Sequence, residues 1–391
     1  MRIDRRLTDR LKKVNPSLTL TITSRAKKLK SEGRDIVNFA AGEPDFDTPD
    51  FIKAAAIDAI KGGFTKYTPT TGIPELKQSI CEKFKKENGL DYQPNQIVVS
   101  CGAKHSIFNA IFTLTDAQDE VLIPSPYWVS YPEMVTLAEA KTSFIKTSPE
   151  NNFKLTVEDL ERQISAKTKI LILNSPANPT GSVYNRKELE AMAKICVAHK
   201  IFVISDEIYE KLVYDNIKHV SIAGLNKDIY NLTLTVNGLS KAFSMTGWRI
   251  GYLAGPPDIV EAISKLQDHT TSCPASISQK AALAALNAGD EFSENMRREF
   301  QKRRDLAIKK LENIKELRFI IPQGAFYIFC DISKTHLDSL TFTGRLLDEA
   351  MVALIPGESF GRDDYIRISF ATGIEQIEKG LDRISNWIKN L

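Results

Sequence analysis

Ser240-Lys241-Ala242-Phe243-Ser244-Met245-Thr246-Gly247-Trp248-Arg249-Ile250-Gly251 holds one lysine and one arginine in an otherwise uncharged run that starts where a strand-like segment ends. In a partly desolvated site a lysine loses its proton below its usual pKa of about 10.4, and the free amine condenses with carbonyls. Arginine offers a planar fork of donors that suits a phosphate dianion. Taken alone, Lys241 and Arg249 read equally well as solvated loop charges, since these residue types are mostly exposed. The flanking sequence decides between the two.

From about residue 50 to 290, short β-branched runs alternate with helical patterns, as a mostly parallel sheet covered by helices requires. Strands are predicted at 96–100, 120–123, 169–174, 201–205, 233–236 and 251–254. Between them lie apolar stripes of helical spacing, such as Ile107, Phe108, Ile111, Phe112 and Leu189, Met192, Ala193, Cys196. The fold class is α/β, doubly wound. Beyond 290 the pattern becomes α+β: a long charged helix over 291–313, strands at 319–321, 325–331 and 365–370, a helix over 342–351 and a closing helix. The first 45 or so residues are too few for a core of their own. The predicted division is a large domain, 48–290, and a smaller one built from 1–47 and 291–391.

A chain of 391 residues exceeds the roughly 250–300 at which a single core stops growing, which agrees with two domains. A net charge of +3 from 52 basic and 49 acidic residues, evenly interspersed, gives no footprint for nucleic acid. The cysteines (Cys81, Cys101, Cys196, Cys273, Cys330) are scattered and odd in number, which fits a reducing, cytoplasmic compartment. The histidines (His105, His199, His219, His269, His336) lack metal-ligand spacing, so no metal is predicted. No apolar run is long enough for a membrane span or a signal peptide. Arg2, Arg5, Arg6, Arg10, Lys12 and Lys13, interrupted by Asp4 and Asp9, read as a solvated amphipathic start.

Ligands of open α/β sheets bind beyond the carboxyl ends of the strands, and the residues there form an unusual set. Ser100-Cys101-Gly102-Ala103-Lys104 leads into a helix whose free amides suit an anion, or is a plain strand-to-helix turn. Trp128 offers an indole to a flat ring, or is a core aromatic. The segment from Asn174 to Gly181 is turn chemistry, in which Asn178 can present its amide to a phenolate. Asp206 reads as the N-cap of a helix or as the partner of a pyridinium N–H, with Tyr209 donating to the neighbouring ring oxygen. Arg367, in Tyr365-Ile366-Arg367-Ile368-Ser369-Phe370, alternates away from the isoleucines, as a surface strand charge would. Apart from Arg367, each of these strand-end signals supplies a different group that pyridoxal 5'-phosphate needs, together with Lys241 and Arg249.

Over essentially its whole length the chain resembles the class I pyridoxal-phosphate aminotransferases of fold type I, closest to the bacterial aspartate aminotransferase branch. The resemblance is carried by Ala41-Gly42-Glu43-Pro44-Asp45-Phe46, Tyr67, Pro126 through Pro132, Asn178-Pro179-Thr180-Gly181, Ser205 through Tyr209 and Gly238 through Gly251. It implies that Lys241 anchors the cofactor covalently and moves the proton, that Asp206 pairs with the ring nitrogen, and that Asn178 and Tyr209 hold the ring oxygen while Trp128 stacks. It assigns the phosphate to the amides of Ala103 and Lys104 with Ser240 and Arg249, and to Tyr67 of a neighbouring subunit, so a homodimer with shared sites is expected. Relatives with a serine three residues before the lysine differ here, where Gly238 stands. For substrates, Arg367 forks the α-carboxylate under the Gly42 backbone, beside Trp128 and Asn178. Lys104, with Ser17 and Thr19, meets the distal carboxylate of aspartate. Asn15 stands where prephenate-using relatives carry a lysine. The rival readings are prephenate or aromatic transamination, a lyase of the same fold, and a non-catalytic module that only binds the cofactor.

Overall fold

A computed structural model describes residues 7–391; Arg2, Asp4, Arg5 and Arg6 of the basic start lie outside the described residues. Strand β1 (Val37–Asn38) stands apart from the seven that follow: β2 (Ile97–Ser100), β3 (Glu120–Ser125), β4 (Lys141–Lys146), β5 (Thr168–Asn174), β6 (Phe202–Asp206), β7 (Thr233–Gly238) and β8 (Gly251–Ala254). These seven form one sheet in the order β2-β8-β7-β6-β5-β3-β4. Only β8 runs against its neighbours; the pairs among β4, β3, β5, β6 and β7 are parallel. The six strands read from sequence are all present. The seventh, β4, was missed because Lys-Thr-Ser-Phe-Ile-Lys buries Ile145 alone at the sheet edge, and its apolar signal is correspondingly weak.

Central strands buried on both faces, such as Phe202–Asp206 and Thr233–Gly238, read as continuous apolar or small-residue runs because helices cover both sides. Helix Ala103–Leu114 lies on one face, its stripe of Ile107, Ala110 and Ile111 joining Val98, Val121, Ile204 and Val236 in one cluster. Leu189, Met192, Ala193 and Cys196 of helix Arg186–His199 pack with Leu171, Leu173 and Val203 in another.

Beyond helix Glu291–Leu311 come β9 (Arg318–Phe319), β10 (Tyr327–Asp331), β11 (Val352–Ala353), β12 (Ile355–Pro356) and β13 (Tyr365–Ser369). Four of them make an antiparallel sheet, β12-β13-β10-β9, while β11 pairs in parallel with β1. The closing helix Ile374–Ile388 sets Ile377, Leu381, Ile384 and Ile388 along one face. That face packs in a core to which the N-terminal segment gives Val37 and Phe39 and the middle of the chain gives Tyr209, Leu212 and Tyr214. Among the described residues no helix is long and apolar enough to cross a membrane.

The closest backbone approach that shapes the site is at Gly251. A Cβ there would sit 2.1 Å from the Ala103 nitrogen and 2.4 Å from the Gly102 carbonyl carbon. Since overpacking typically costs about 1–3 kcal/mol, Gly251→Ala is expected to lower the urea midpoint measurably and to displace the start of helix Ala103–Leu114. An unchanged midpoint would refute this packing account.

Candidate active site

The carboxyl ends of β2, β3, β5, β6 and β7 face a cavity of about 470 Å³. Gly42, Ala103, Lys104, Trp128, Asn178, Asp206, Tyr209, Ser240, Lys241, Arg249 and Arg367 all line it. Tyr67 does not: its side chain is 92% exposed, outside the cavity of its own chain.

One end of the cavity is built for an anion. Gly102, with φ +91°, precedes helix Ala103–Leu114, whose first amides have no intrahelical acceptor. A Cβ on Gly102 would lie 2.5 Å from Nη2 of Arg249, so the glycine lets the guanidinium lie against the helix start. Arg249 is held there by the carbonyls of Thr246 (3.0 Å) and Cys101 (3.2 Å). Gly238 pairs with Gly251 across the β7–β8 ladder, and a Cβ there would come within 3.1 Å of the Gly251 Cα. This tight pairing leaves little room for the serine that relatives carry.

Asp206 ends β6 and is buried. Its Oδ2 accepts from the Tyr131 hydroxyl at 2.7 Å and its Oδ1 from the Ile208 amide at 3.3 Å. No helix follows it; turns do, so the helix N-cap alternative is overturned. Burial raises its pKa to about 6, against the opposing hydrogen bonds from Tyr131 and Ile208.

Lys241 sits in the short helical turn after β7 and donates to the Gly42 carbonyl. The rings of Phe326 and Tyr209 lie 5.7 and 5.9 Å from its nitrogen. Burial lowers its pKa to about 8, assisted by Arg367 and Arg249 and opposed by Glu43 and Asp206. The side chain is half-buried and lines the cavity, so it is desolvated without being sealed. Lys104 lies 5.0 Å from the Trp128 ring, and burial, with Arg249, lowers its pKa too.

Arg367 is 3% exposed, not the surface charge that strand alternation suggests. Its Nη1 donates to Asn178 Oδ1 (3.0 Å) and its Nη2 to the Ala40 carbonyl (3.1 Å), while Nε has no partner. The guanidinium lies 4.2 Å from the Tyr327 ring centre and 5.1 Å from that of Phe360. Among the described residues no carboxylate pairs with it. Alternation fixes which face a side chain takes, but not that another segment covers that face.

The chain matches the family model for aminotransferase class I and II over residues 34–384. The chain belongs to this aminotransferase family. It is 47% identical to an aspartate aminotransferase of Bacillus sp. (strain YM-2), covering 98% of this chain and 99% of that protein. An aspartate/prephenate aminotransferase of Cereibacter sphaeroides is 46% identical over 98% of this chain and 99% of that protein. Among solved structures, the Thermus thermophilus aspartate aminotransferase with maleate superposes with a TM-score of 0.94 at 42% identity, covering 98% of this chain and 100% of that one.

This aminotransferase offers what the family's cofactor, pyridoxal 5'-phosphate, needs: a helix start with an adjacent arginine, an amine of lowered pKa, and a buried carboxylate for a ring N–H. The donor set therefore fits the group. Sequence reasoning missed three contributors. Tyr131 holds Asp206 from 75 positions away, and Tyr327 hydrogen-bonds Tyr209 at 2.9 Å from 118 positions away. Asn174 joins the Asp206 carbonyl to the Asn178 amide. Only Asn174 carried a local signal, as a polar residue opening the Asn-Pro turn. Beyond the cavity, Glu207, Glu210 and His219 bring their ligand atoms within 4.8 Å of one another, a cluster hidden from the histidine spacing. Lys83 bonds Glu210, and His219 meets Glu207 at 3.0 Å, so the cluster reads as a buried ion-pair network.

The pKa of Lys241 is directly testable. Competitive acetylation of the cofactor-free protein, followed by mass spectrometry, is expected to show Lys241 half-reactive near pH 8. Surface lysines should titrate about two units higher. A Lys241 titration coincident with the surface lysines would contradict the burial effect.

Proposed function

We propose that the chain is an aspartate aminotransferase that passes the amino group of L-aspartate to 2-oxoglutarate, giving oxaloacetate and L-glutamate in two half-reactions. The observation that carries this reading is Arg367, a buried guanidinium without a protein carboxylate and with its Nε unpaired. Such a charge is costly unless a ligand pairs with it. A substrate α-carboxylate meets that need, and Lys104 beside Trp128 supplies a second cation for a distal carboxylate. Named relatives that share nearly half of the sequence support the same substrate. Asn15 donates its amide and side chain to Glu133 and brings no cation, which favours aspartate over prephenate.

Bound pyridoxal 5'-phosphate supplies an aldehyde for the amino group and a ring that withdraws electrons from the substrate Cα. The amides of Ala103 and Lys104 and the guanidinium of Arg249 would hold its phosphate, with Ser240 beside them, and Trp128 would cover the ring. Asp206 would keep the ring nitrogen protonated, while Tyr209 and Asn178 would meet the ring oxygen. Arg367 orients the substrate, under the Gly42 backbone, so that the Cα proton faces Lys241. The amine of Lys241, of lowered pKa, would accept that proton and hold it for return. We assign 48–290 to a large domain and 1–47 with 291–391 to a small one, in keeping with their separate sheets. The protein works as a cytoplasmic homodimer, a reading supported by five free cysteines and by the bare Tyr67 ring, which can serve a partner's phosphate site.

The two cations separate in half-reactions with single amino acids. Losing one partner of a desolvated charge pair costs ~2–5 kcal/mol, so Arg367→Ala is expected to lower kcat/KM for aspartate and phenylalanine alike by roughly 30- to 5,000-fold. Lys104→Ala, which keeps its backbone amide, should depress aspartate and glutamate and leave neutral donors nearly unchanged. Equal losses on acidic and neutral donors would remove Lys104 from substrate recognition. Mixing Tyr67→Phe with Lys241→Ala subunits should create hybrid dimers with one site free of both changes. Activity no greater in hybrids than in the unmixed variants would confine Tyr67 to its own chain.

A further inference from the structure

Tyr131 lies in the first turn of the short helix Ser130–Leu137, three residues after Trp128, and is 2% exposed. Its amide bonds the Trp128 carbonyl at 3.0 Å, and its ring meets the indole edge-on, with centroids 5.2 Å apart at 82°. The hydroxyl therefore cannot swing to solvent, and it points at Oδ2 of Asp206, 2.7 Å away. The other oxygen of Asp206 has only the longer bond, 3.3 Å, from Ile208. We propose that Tyr131 is a positioning residue for the cofactor, its hydroxyl holding the Asp206 carboxylate charged and correctly turned toward the ring nitrogen. This rests on the proposed reading of Asp206 as the ring-nitrogen partner.

The physical case is that a buried carboxylate needs donors. Besides Tyr131, the titratable groups acting on Asp206 are Glu207, which disfavours its charge, Lys241, which favours it, and the buried Tyr209. Burial and the carboxylate itself keep Tyr131 protonated far above neutral pH, so it always acts as the donor. One N–H and one O–H together fix the carboxylate plane, and losing the O–H leaves a single long bond to do so. The ring of phenylalanine at 131 preserves the edge contact with Trp128 and removes only the donor.

The test uses cofactor-free protein and two non-covalent ligands read by calorimetry: pyridoxamine 5'-phosphate, and its deaza analogue with C–H in place of the ring nitrogen. Tyr131→Phe is expected to weaken the first about tenfold, the size of one hydrogen bond to a charged group, and the second less than about twofold. The ratio of the two affinities does not depend on the fraction of folded protein, so partial misfolding cannot imitate the result. Equal weakening of both ligands would make Tyr131 a packing residue only, and no weakening of either would also overturn the proposal. Asp206→Asn separates the two ideas. If it abolishes discrimination between the ligands while Tyr131→Phe retains it, the inference fails and the reading of Asp206 stands. If Asp206→Asn leaves discrimination intact, the reading itself fails and the inference with it.

Discussion

Arg367 lies under Tyr327 and Phe360 with neutral acceptors alone, and the arrangement around it shows how this protein treats buried charge. Elsewhere its buried cations are neutralised from within. Arg304 forks Asp215 through bonds of 2.6 and 2.7 Å, Arg303 meets Asp45 at 2.6 Å, and Lys83 is matched to Glu210. In the cavity the pattern reverses: Arg367 has two carbonyl oxygens, Lys241 has one, and Asp206 has a hydroxyl and an amide. Dipoles of that kind hold a charged side chain in place without cancelling its charge. The uncancelled charge is then available to a ligand, which is how a structural ion pair differs from a binding group.

The sheet makes this economical in space. Because β8 runs antiparallel between β2 and β7, its first residue, Gly251, arrives beside Ser100 at the end of β2 and Gly238 at the end of β7. The loop before it therefore brings Arg249 to the start of helix Ala103–Leu114, while the turn after β7 brings Lys241 to the middle of the cavity. Two glycines, Gly102 and Gly251, remove the side chains that would hold the helix and strand apart. An amine and an anion site are thus fixed at one strand junction by backbone geometry, before any ligand enters.

Much of this was legible in sequence where a site residue lies within a few positions of a strand end, as Lys104, Asn178, Asp206 and Lys241 do. There, local turn chemistry and strand periodicity locate the residue along the chain and on the correct edge of the sheet. Legibility failed wherever the informative contact crosses the chain. Tyr131 reads as one more aromatic in an aromatic segment, and Tyr327 as a strand residue. Their hydroxyl partners, Asp206 and Tyr209, belong to elements formed far away in sequence. The burial of Arg367 depends on what covers β13, which no local pattern reports. The helix expected after Asp206 is absent because the following residues turn at once toward the core shared with β10 and β13.

The electrostatics of the cavity have a definite sign. Lys241 falls from an ordinary 10.5 to about 8, so the folded protein disfavours its ammonium; that cost is complete below pH 8 and fades as pH rises from there to 10.5. Asp206 rises from 3.8 to about 6, so the folded protein disfavours its carboxylate; that cost grows as pH rises from 3.8 and is complete above 6. Both costs are therefore at their full value between pH 6 and 8. Their mutual attraction offsets only part of them, since burial is the leading cause at each group. A ligand offering an N–H to Asp206 and occupying the Lys241 amine would relieve both, since anything that binds the folded state preferentially stabilises it. The unpaired charges of the cavity would in this way couple the stability of the fold to its occupant.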